Sequence, residues 1–65
     1  MEEKEKLILD FMKDINYVPM KAKEMALMLN VPKNDYNTFL EVLNHLEEEY
    51  KIQKNRKSKY SLVAQ

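Results

Sequence analysis

The 65-residue sequence contains no cysteine, no glycine and no tryptophan, and only two prolines. Without cysteine, neither a disulfide nor a thiolate metal site can stabilise the fold. A chain of this length buries only about 60% of the surface that it exposes when unfolded, so apolar periodicity must build a small core. No apolar run approaches the roughly 20 residues that cross a bilayer, and the acidic start, MEEKEK, lacks the order of a secretion signal. We therefore expect a cytoplasmic, monomeric protein without a membrane segment.

Net positive charge is absent from most of the chain and appears only near the carboxyl end. Residues 1–50 contain six basic residues and eleven acids, a net charge of −5, whereas residues 51–65 contain five basic residues and no acid, a net charge of +5. The zero net charge of the whole chain conceals this separation. Because such asymmetry is a better sign of a partner than the total charge, the carboxyl end is the first place to look for a binding site.

Apolar residues at helical spacing predict three helices, over about residues 3–15, 22–29 and 34–50. The third helix has the clearest amphipathic pattern, since its apolar residues step by three and four along the chain. The residues expected to face the core from these helices are Leu7, Ile8, Phe11, Met12, Ile15, Met25, Ala26, Met28, Leu29, Tyr36, Phe39, Leu40, Leu43, Leu46 and Tyr50.

Prolines and asparagines punctuate the chain in place of glycine. Pro19 disfavours helix at the preceding residue, so residues 17–20 are predicted to be a short extended segment. Asn30 stands where a left-handed residue typically ends a helix, and asparagine tolerates that conformation better than other non-glycine residues. Asn34 is expected to cap the third helix.

The apolar period changes from helical to two after the third helix. Ile52, Tyr60 and Leu62 are expected to point inward from two short strands around a turn, which predicts a β-hairpin over residues 51–63, called here the basic hairpin. Helix, extended segment, helix, turn, helix and hairpin follow one another as in a winged helix-turn-helix. The predicted fold class is mainly α with a small β-hairpin, three helices plus a wing, in a single domain over residues 1–65.

Three local features occur in order along the chain: a Pro-Met step before helix two, an LNHLEEE run ending helix three, and an I-x-x-N-R-x-x-x-Y hairpin. They lie within LILDFMKDINYVPMKAKEMALMLNVP and FLEVLNHLEEEYKIQKNRKSKYSLV, and together they resemble the amino-terminal winged-helix domain of bacterial ribonuclease R. The resemblance implies that the chain is the front piece of a longer, magnesium-dependent 3′-to-5′ exoribonuclease, whose catalytic domain would bind the magnesium. In that family the hairpin turn often has glycine where this chain has Ser58.

The basic hairpin is the main candidate site. Lysine and arginine bind phosphates by releasing condensed counterions, without regard to sequence. The predicted function is that of an accessory RNA-binding domain, with structured or single-stranded RNA contacted through its backbone, and the parent's other domains are a further expected partner. The alternative is a solvated hairpin that binds nothing, whose lysines keep the sheet edge from pairing with another chain. The residues expected to contact nucleic acid here are Lys51, Lys54, Arg56, Lys57 and Lys59.

Helix three offers a second surface at Lys33, Asn34 and Asn37. The corresponding helix reads the major groove in many such folds, and asparagine can read adenine. A DNA-binding transcription regulator is therefore an alternative function, although Asp35 and Glu41 repel phosphate. The acidic face of helix three supports a third alternative, a protein-interaction module.

Neither catalysis nor a cofactor is expected within this domain. The sequence has no nucleophile paired with a base and no glycine-rich phosphate loop. His45 is the single histidine, and no cysteine or clustered carboxylate joins it at ligand spacing, so we expect no metal site.

Overall fold

The computed structural model describes residues 2–64 of the chain. Three α-helices and a small antiparallel sheet make up the structure, with a 3-10 turn before the last helix. In chain order the elements are α1 Glu2–Lys13, β1 Met20–Lys21, α2 Ala22–Met28, the 3-10 turn Lys33–Asp35, α3 Tyr36–Glu48, β2 Ile52–Lys54 and β3 Lys59–Leu62. The molecule is mainly helical, as predicted, and this order of elements is compatible with a winged helix. Within residues 2–64, no helix is long and apolar enough to cross a membrane.

Helix α1 ends at Lys13, two residues earlier than predicted. The Asp14 carboxylate accepts the backbone N–H of Asn16 at 2.8 Å, a local turn that competes with continued helix. Ile15 therefore lies beyond the helix and is 96% exposed. The prediction that it faces the core was wrong. The same prediction for Leu7 was also wrong, because Leu7 lies at the edge of the apolar face of α1 and is 58% exposed.

Helices α2 and α3 end in the same way, with a left-handed residue followed by a 6→1 hydrogen bond. Asn30 has φ 57°, as predicted, and the Val31 N–H donates to the Ala26 carbonyl at 2.9 Å. Tyr50 has φ 59°, and the next N–H donates to the Leu46 carbonyl at 3.0 Å. This backbone conformation turns the chain out of α3, so Tyr50 is 82% exposed and the prediction that it faces the core was wrong.

The start of α3 also differs from the prediction. Asn34 lies inside the 3-10 turn that follows Pro32, and α3 itself begins at Tyr36. The residue before α3 is Asp35, whose side chain makes no capping hydrogen bond. Asn34 is therefore not the cap of α3, because the tighter turn displaces the helix start by two residues.

The sheet has three strands in the order β1-β3-β2, whereas the sequence predicted a hairpin of two. The hairpin itself is confirmed, with Ile52 opposite Leu62 and Lys54 opposite Tyr60. The additional strand comes from the segment predicted to be extended: Met20 pairs with Tyr60, and the next residue pairs with Lys59. The hairpin is thus joined along β3 to the chain that leads into α2.

The core lies between the three helices and the inner face of the sheet. Helix α3 contributes most of it, including Val42, which the sequence analysis did not single out and which is 0% exposed. Met25 and Ala26 are buried on α2 as predicted. Met28 is 64% exposed, so the prediction that it faces the core was wrong; around the helix it lies on the side of Met25 away from Ala26. The buried residues are Ile8, Met12, Met25, Ala26, Phe39, Val42, Leu43, Leu46, Ile52 and Tyr60.

Replacing Tyr50 by glycine should stabilise the protein. A left-handed backbone costs a non-glycine residue about 1–2 kcal/mol, and glycine loses about 0.5–1 kcal/mol more chain entropy on folding, so the expected net gain is about 0.5–1 kcal/mol. The matched control is Glu41→Gly, which places glycine at an exposed position in the middle of α3 and should cost about 0.5–1 kcal/mol. Urea denaturation followed by circular dichroism measures both. Equal destabilisation by the two substitutions would contradict the assigned helix end.

Candidate nucleic-acid interface

The turn of the basic hairpin is organised by Asn55. Its side-chain carbonyl accepts the backbone N–H groups of Lys57 at 2.9 Å and Lys59 at 3.0 Å. Its backbone N–H donates to the Lys59 carbonyl, and its carbonyl accepts the Ser58 N–H, both at 3.0 Å. Ser58 has φ 63°, the left-handed conformation for which glycine is usual, so serine occupies this position at some conformational cost. These bonds order the turn and leave its side chains free to project.

The basic residues of the hairpin differ in their surroundings. Arg56 and Lys57 are exposed in the turn. The Lys54 ammonium lies 5.8 Å from the centre of the Tyr60 ring, within the range of a cation–π contact. Lys51 alone of the five is paired, since its Nζ lies 3.4 Å from Glu49 Oε1. Within residues 2–64, the other four make no ion pair with a carboxylate and are available to an anionic ligand.

Strand alternation distributes the side chains of the sheet between two faces. Tyr60 is 4% exposed and faces the core, so its neighbours Lys59 and Ser61 face away from it. Gln53 is opposite Ser61 and donates to its hydroxyl at 3.5 Å, which places both on the same side. Lys21 is opposite Lys59 and shares that side. We call these four residues, Lys21, Gln53, Lys59 and Ser61, the outer face of the sheet.

Lys21 is a candidate residue that the sequence analysis missed. The signal that could have found it is weak, because β1 is only two residues long and shows no alternating pattern of its own. Its backbone N–H donates to the Glu24 carboxylate at 3.1 Å, which satisfies one of the free N–H groups at the start of α2. The side chain, by contrast, makes no ion pair within the described part of the chain.

Two tyrosines attach the hairpin to the helical body. The Tyr17 hydroxyl donates to the Tyr60 carbonyl at 2.6 Å and also lies 3.9 Å from the Met25 sulfur. Burial raises the pKa of the Tyr17 phenol above its ordinary value of 10.0, and a hydrogen bond with the Met20 backbone opposes this in part. Burial likewise raises the pKa of Tyr60, with further upward contributions from the charges of Glu47 and Tyr36.

The second predicted surface is divided between two elements. Lys33 and Asn34 are exposed on the 3-10 turn, and Asn37 is exposed in the first turn of α3. The exposed carboxylate of Asp35 lies on the same 3-10 turn. This surface therefore offers one cation beside an acid, whereas the hairpin offers four cations without one.

His45 is surrounded differently from what the sequence analysis expected. Its Nε2 lies 3.2 Å from Glu5 Oε1 of α1 and 3.4 Å from Glu49 Oε1, so two carboxylates do join it. The contact with Glu49 could have been predicted from the sequence, because Glu49 lies four residues after His45 along a helix. The contact with Glu5 could not, because only the packing of α1 on α3 brings Glu5 close. These ligand atoms lie within 4.8 Å of one another, which makes them the group that could hold a metal ion. The Lys51 ammonium also lies 3.4 Å from Glu49 Oε1, so one of the two carboxylates has an ion-pair partner already.

An apolar groove of about 180 Å³ lies between α1 and the turn that joins α2 to α3. Leu7 lines it, together with Leu29, Val31, Pro32 and Phe39. Its polar members are Lys4, Asn30 and Asp35, which do not make a nucleophile and base. The groove is therefore an extension of the core surface.

Comparison with known proteins assigns no function to this chain. No protein-family model matches it, and no curated protein matches it either. The resemblance to the winged-helix domain of ribonuclease R thus stays a prediction from the sequence.

Alkaline solution should destabilise the fold through Tyr17 and Tyr60. Because their phenols hold protons more tightly in the folded state, this stabilising contribution is fully present below about pH 10 and is lost as the pH rises beyond it, where the unfolded chain ionises first. Urea denaturation at a series of pH values between about 8 and 11 measures the slope, which should be shallower in a Tyr17→Phe, Tyr60→Phe variant. If the pH dependence of stability is as steep in that variant as in the parent, it does not arise from Tyr17 and Tyr60.

Proposed function

We propose that this chain is an accessory RNA-binding module with a winged helix-turn-helix fold, the front domain of a ribonuclease R-like exoribonuclease. In this proposal the basic hairpin is the wing, and it binds the phosphate backbone of RNA. One observation carries the proposal: Lys54, Arg56, Lys57 and Lys59 lie on an ordered hairpin without carboxylate partners among the described residues. The chemistry of RNA cleavage would belong to a magnesium-dependent catalytic domain elsewhere in the parent protein.

The distribution of charge favours a polyanion that approaches from one side. Residues 1–50 carry a net charge of −5 and repel phosphate, so an RNA strand is attracted to the hairpin and kept away from most of the helical surface. Lys51 contributes less to this attraction than the other four, because its ammonium lies 3.4 Å from Glu49 Oε1. The ion pair also marks the boundary between the acidic helices and the basic hairpin.

Four cations support binding that is weak and sensitive to salt. If each contacts one phosphate of a single strand, the slope of log K against log salt is about −2.8, and affinity falls about 50-fold between roughly 50 and 200 mM salt. Such a domain does not hold RNA tightly by itself. It fits an accessory role, in which it raises the local concentration of substrate for an attached enzyme.

An NMR titration at low salt tests which surface binds. We expect addition of single-stranded or structured RNA to shift the backbone resonances of residues 54–59. Shifts confined to residues 33–41 with duplex DNA would favour a transcription regulator instead. If no nucleic acid shifts any resonance, the proposal is contradicted and a protein-interaction module becomes the better function.

Neutralising the hairpin should abolish RNA binding without unfolding the protein. The expected loss is about a thousandfold at roughly 50 mM salt, and the slope should shrink by about 2.8, because the four phosphate contacts are gone. Fluorescence anisotropy with labelled RNA measures the affinity, and circular dichroism checks the fold. The quadruple variant carries Lys54→Gln, Arg56→Gln, Lys57→Gln and Lys59→Gln.

A matched control removes the same charge from the helical body. It carries Lys4→Gln, Lys6→Gln, Lys13→Gln and Lys23→Gln, and it should retain RNA affinity within about threefold, since net charge at a distance is largely screened by salt. If both quadruple variants lose affinity equally, the attraction comes from net charge and not from the hairpin. If the hairpin variant binds like the parent, the proposal is wrong.

A further inference from the structure

We infer that the phosphate-binding surface continues from the basic hairpin across the sheet to β1, where Lys21 binds the backbone of a single RNA strand together with Lys59. This inference rests on the proposed function and adds a residue from outside the hairpin to it. It also assigns the ligand as one phosphodiester strand bound through its backbone. The paired register of β1 and β3 is the observation behind it.

The register places the two lysines side by side. Lys21 and Lys59 are direct partners across the antiparallel pair of β1 and β3, so their side chains leave the same side of the sheet. That side is the outer one, because Tyr60 on the same strand is buried on the other. The outer face leads along β3 from this pair to Arg56 and Lys57 in the turn.

Like charges in this position repel one another and destabilise the sheet. Their neighbours on the outer face, Gln53 and Ser61, are neutral and bond to each other, so they offer no compensation. Glu24 accepts the backbone N–H of Lys21, and neither lysine has an ion pair within residues 2–64. A bound phosphate between the two ammonium groups would relieve the repulsion. The pair is therefore arranged for an anion rather than for stability.

The outer face is suited to the backbone of a strand and not to its bases. Single-strand binding surfaces that hold bases present aromatic side chains for stacking. Tyr60, the aromatic residue of β3, is 4% exposed and faces the core, so it does not provide such a platform on the outer face. Lysines contact phosphates without reading sequence. Binding should therefore depend on strand charge and salt, with little dependence on base composition.

The first test compares Lys21→Gln with the matched control Lys23→Gln. A lost phosphate contact should reduce the salt slope for a short oligouridine by about 0.7 and weaken binding about fivefold to tenfold at roughly 50 mM salt. Lys23→Gln, which removes the same charge two residues away on α2, should leave both values unchanged. A Lys21→Gln variant with the affinity and slope of the parent would overturn the inference. Oligoadenosine of equal length should bind within about threefold of oligouridine, and a larger difference would overturn backbone recognition.

The second test separates binding from structure. Lys21→Glu places an opposite charge across from Lys59, so it should raise the urea midpoint of unfolding while weakening RNA binding more than Lys21→Gln does. The gain in midpoint should shrink in a Lys59→Gln background, where the new partner is absent. A fall in both midpoint and affinity would show that Lys21 has only a structural role, which overturns the inference.

The quadruple hairpin variant distinguishes failure of the proposed function from failure of its extension to β1. If it loses RNA while Lys21→Gln binds normally, the proposed function stands and the extension to β1 fails. If the quadruple variant binds as well as the parent, the proposed function itself fails. Loss of binding in both variants supports a continuous surface from the turn to β1.

Discussion

Burial of Tyr60 at the centre of the sheet determines how this molecule presents its charge. The ring lies against the core, its carbonyl accepts the Tyr17 hydroxyl, and its strand is hydrogen-bonded on both sides. Because alternate residues of a strand face opposite sides, burying this one side chain directs Lys59 outward. It also fixes the register that brings Lys21 beside Lys59. A slip of one residue would bury the lysine and expose the tyrosine.

The same arrangement separates charges of opposite sign within a small protein. Most acids lie on the exposed surfaces of the helices, whereas the hairpin carries cations on strands and a turn that Asn55 orders. Where the two regions meet, Lys51 and His45 both contact Glu49, and His45 also contacts Glu5. These polar contacts join α1, α3 and the start of the hairpin. The Lys51–Glu49 ion pair lies at this junction, whereas the far end of the hairpin carries cations without carboxylate partners among the described residues.

Local signals in the sequence predicted much of this correctly. Asn30 is left-handed because asparagine tolerates that conformation, and the change of apolar period after α3 gave the hairpin its inward residues, Ile52 and Tyr60. Such features depend on neighbours along the chain, so a single sequence contains them. The local errors have local causes too: the Asp14 turn shortens α1, and a 3-10 turn replaces the expected cap at Asn34. In both places two short-range conformations compete closely.

The sequence by itself determined the three helices, the hairpin and the concentration of positive charge at residues 51–59, because periodicity and composition are properties of the chain. Only the tertiary structure decided that residues 20 and 21 form a third strand, that Lys21 stands beside Lys59, and that Glu5 reaches His45. Each of these contacts joins residues roughly forty positions apart, and two-residue β1 has no periodic pattern of its own. Their partners are set by how the helices pack, which is why the candidate surface became complete only in the folded molecule.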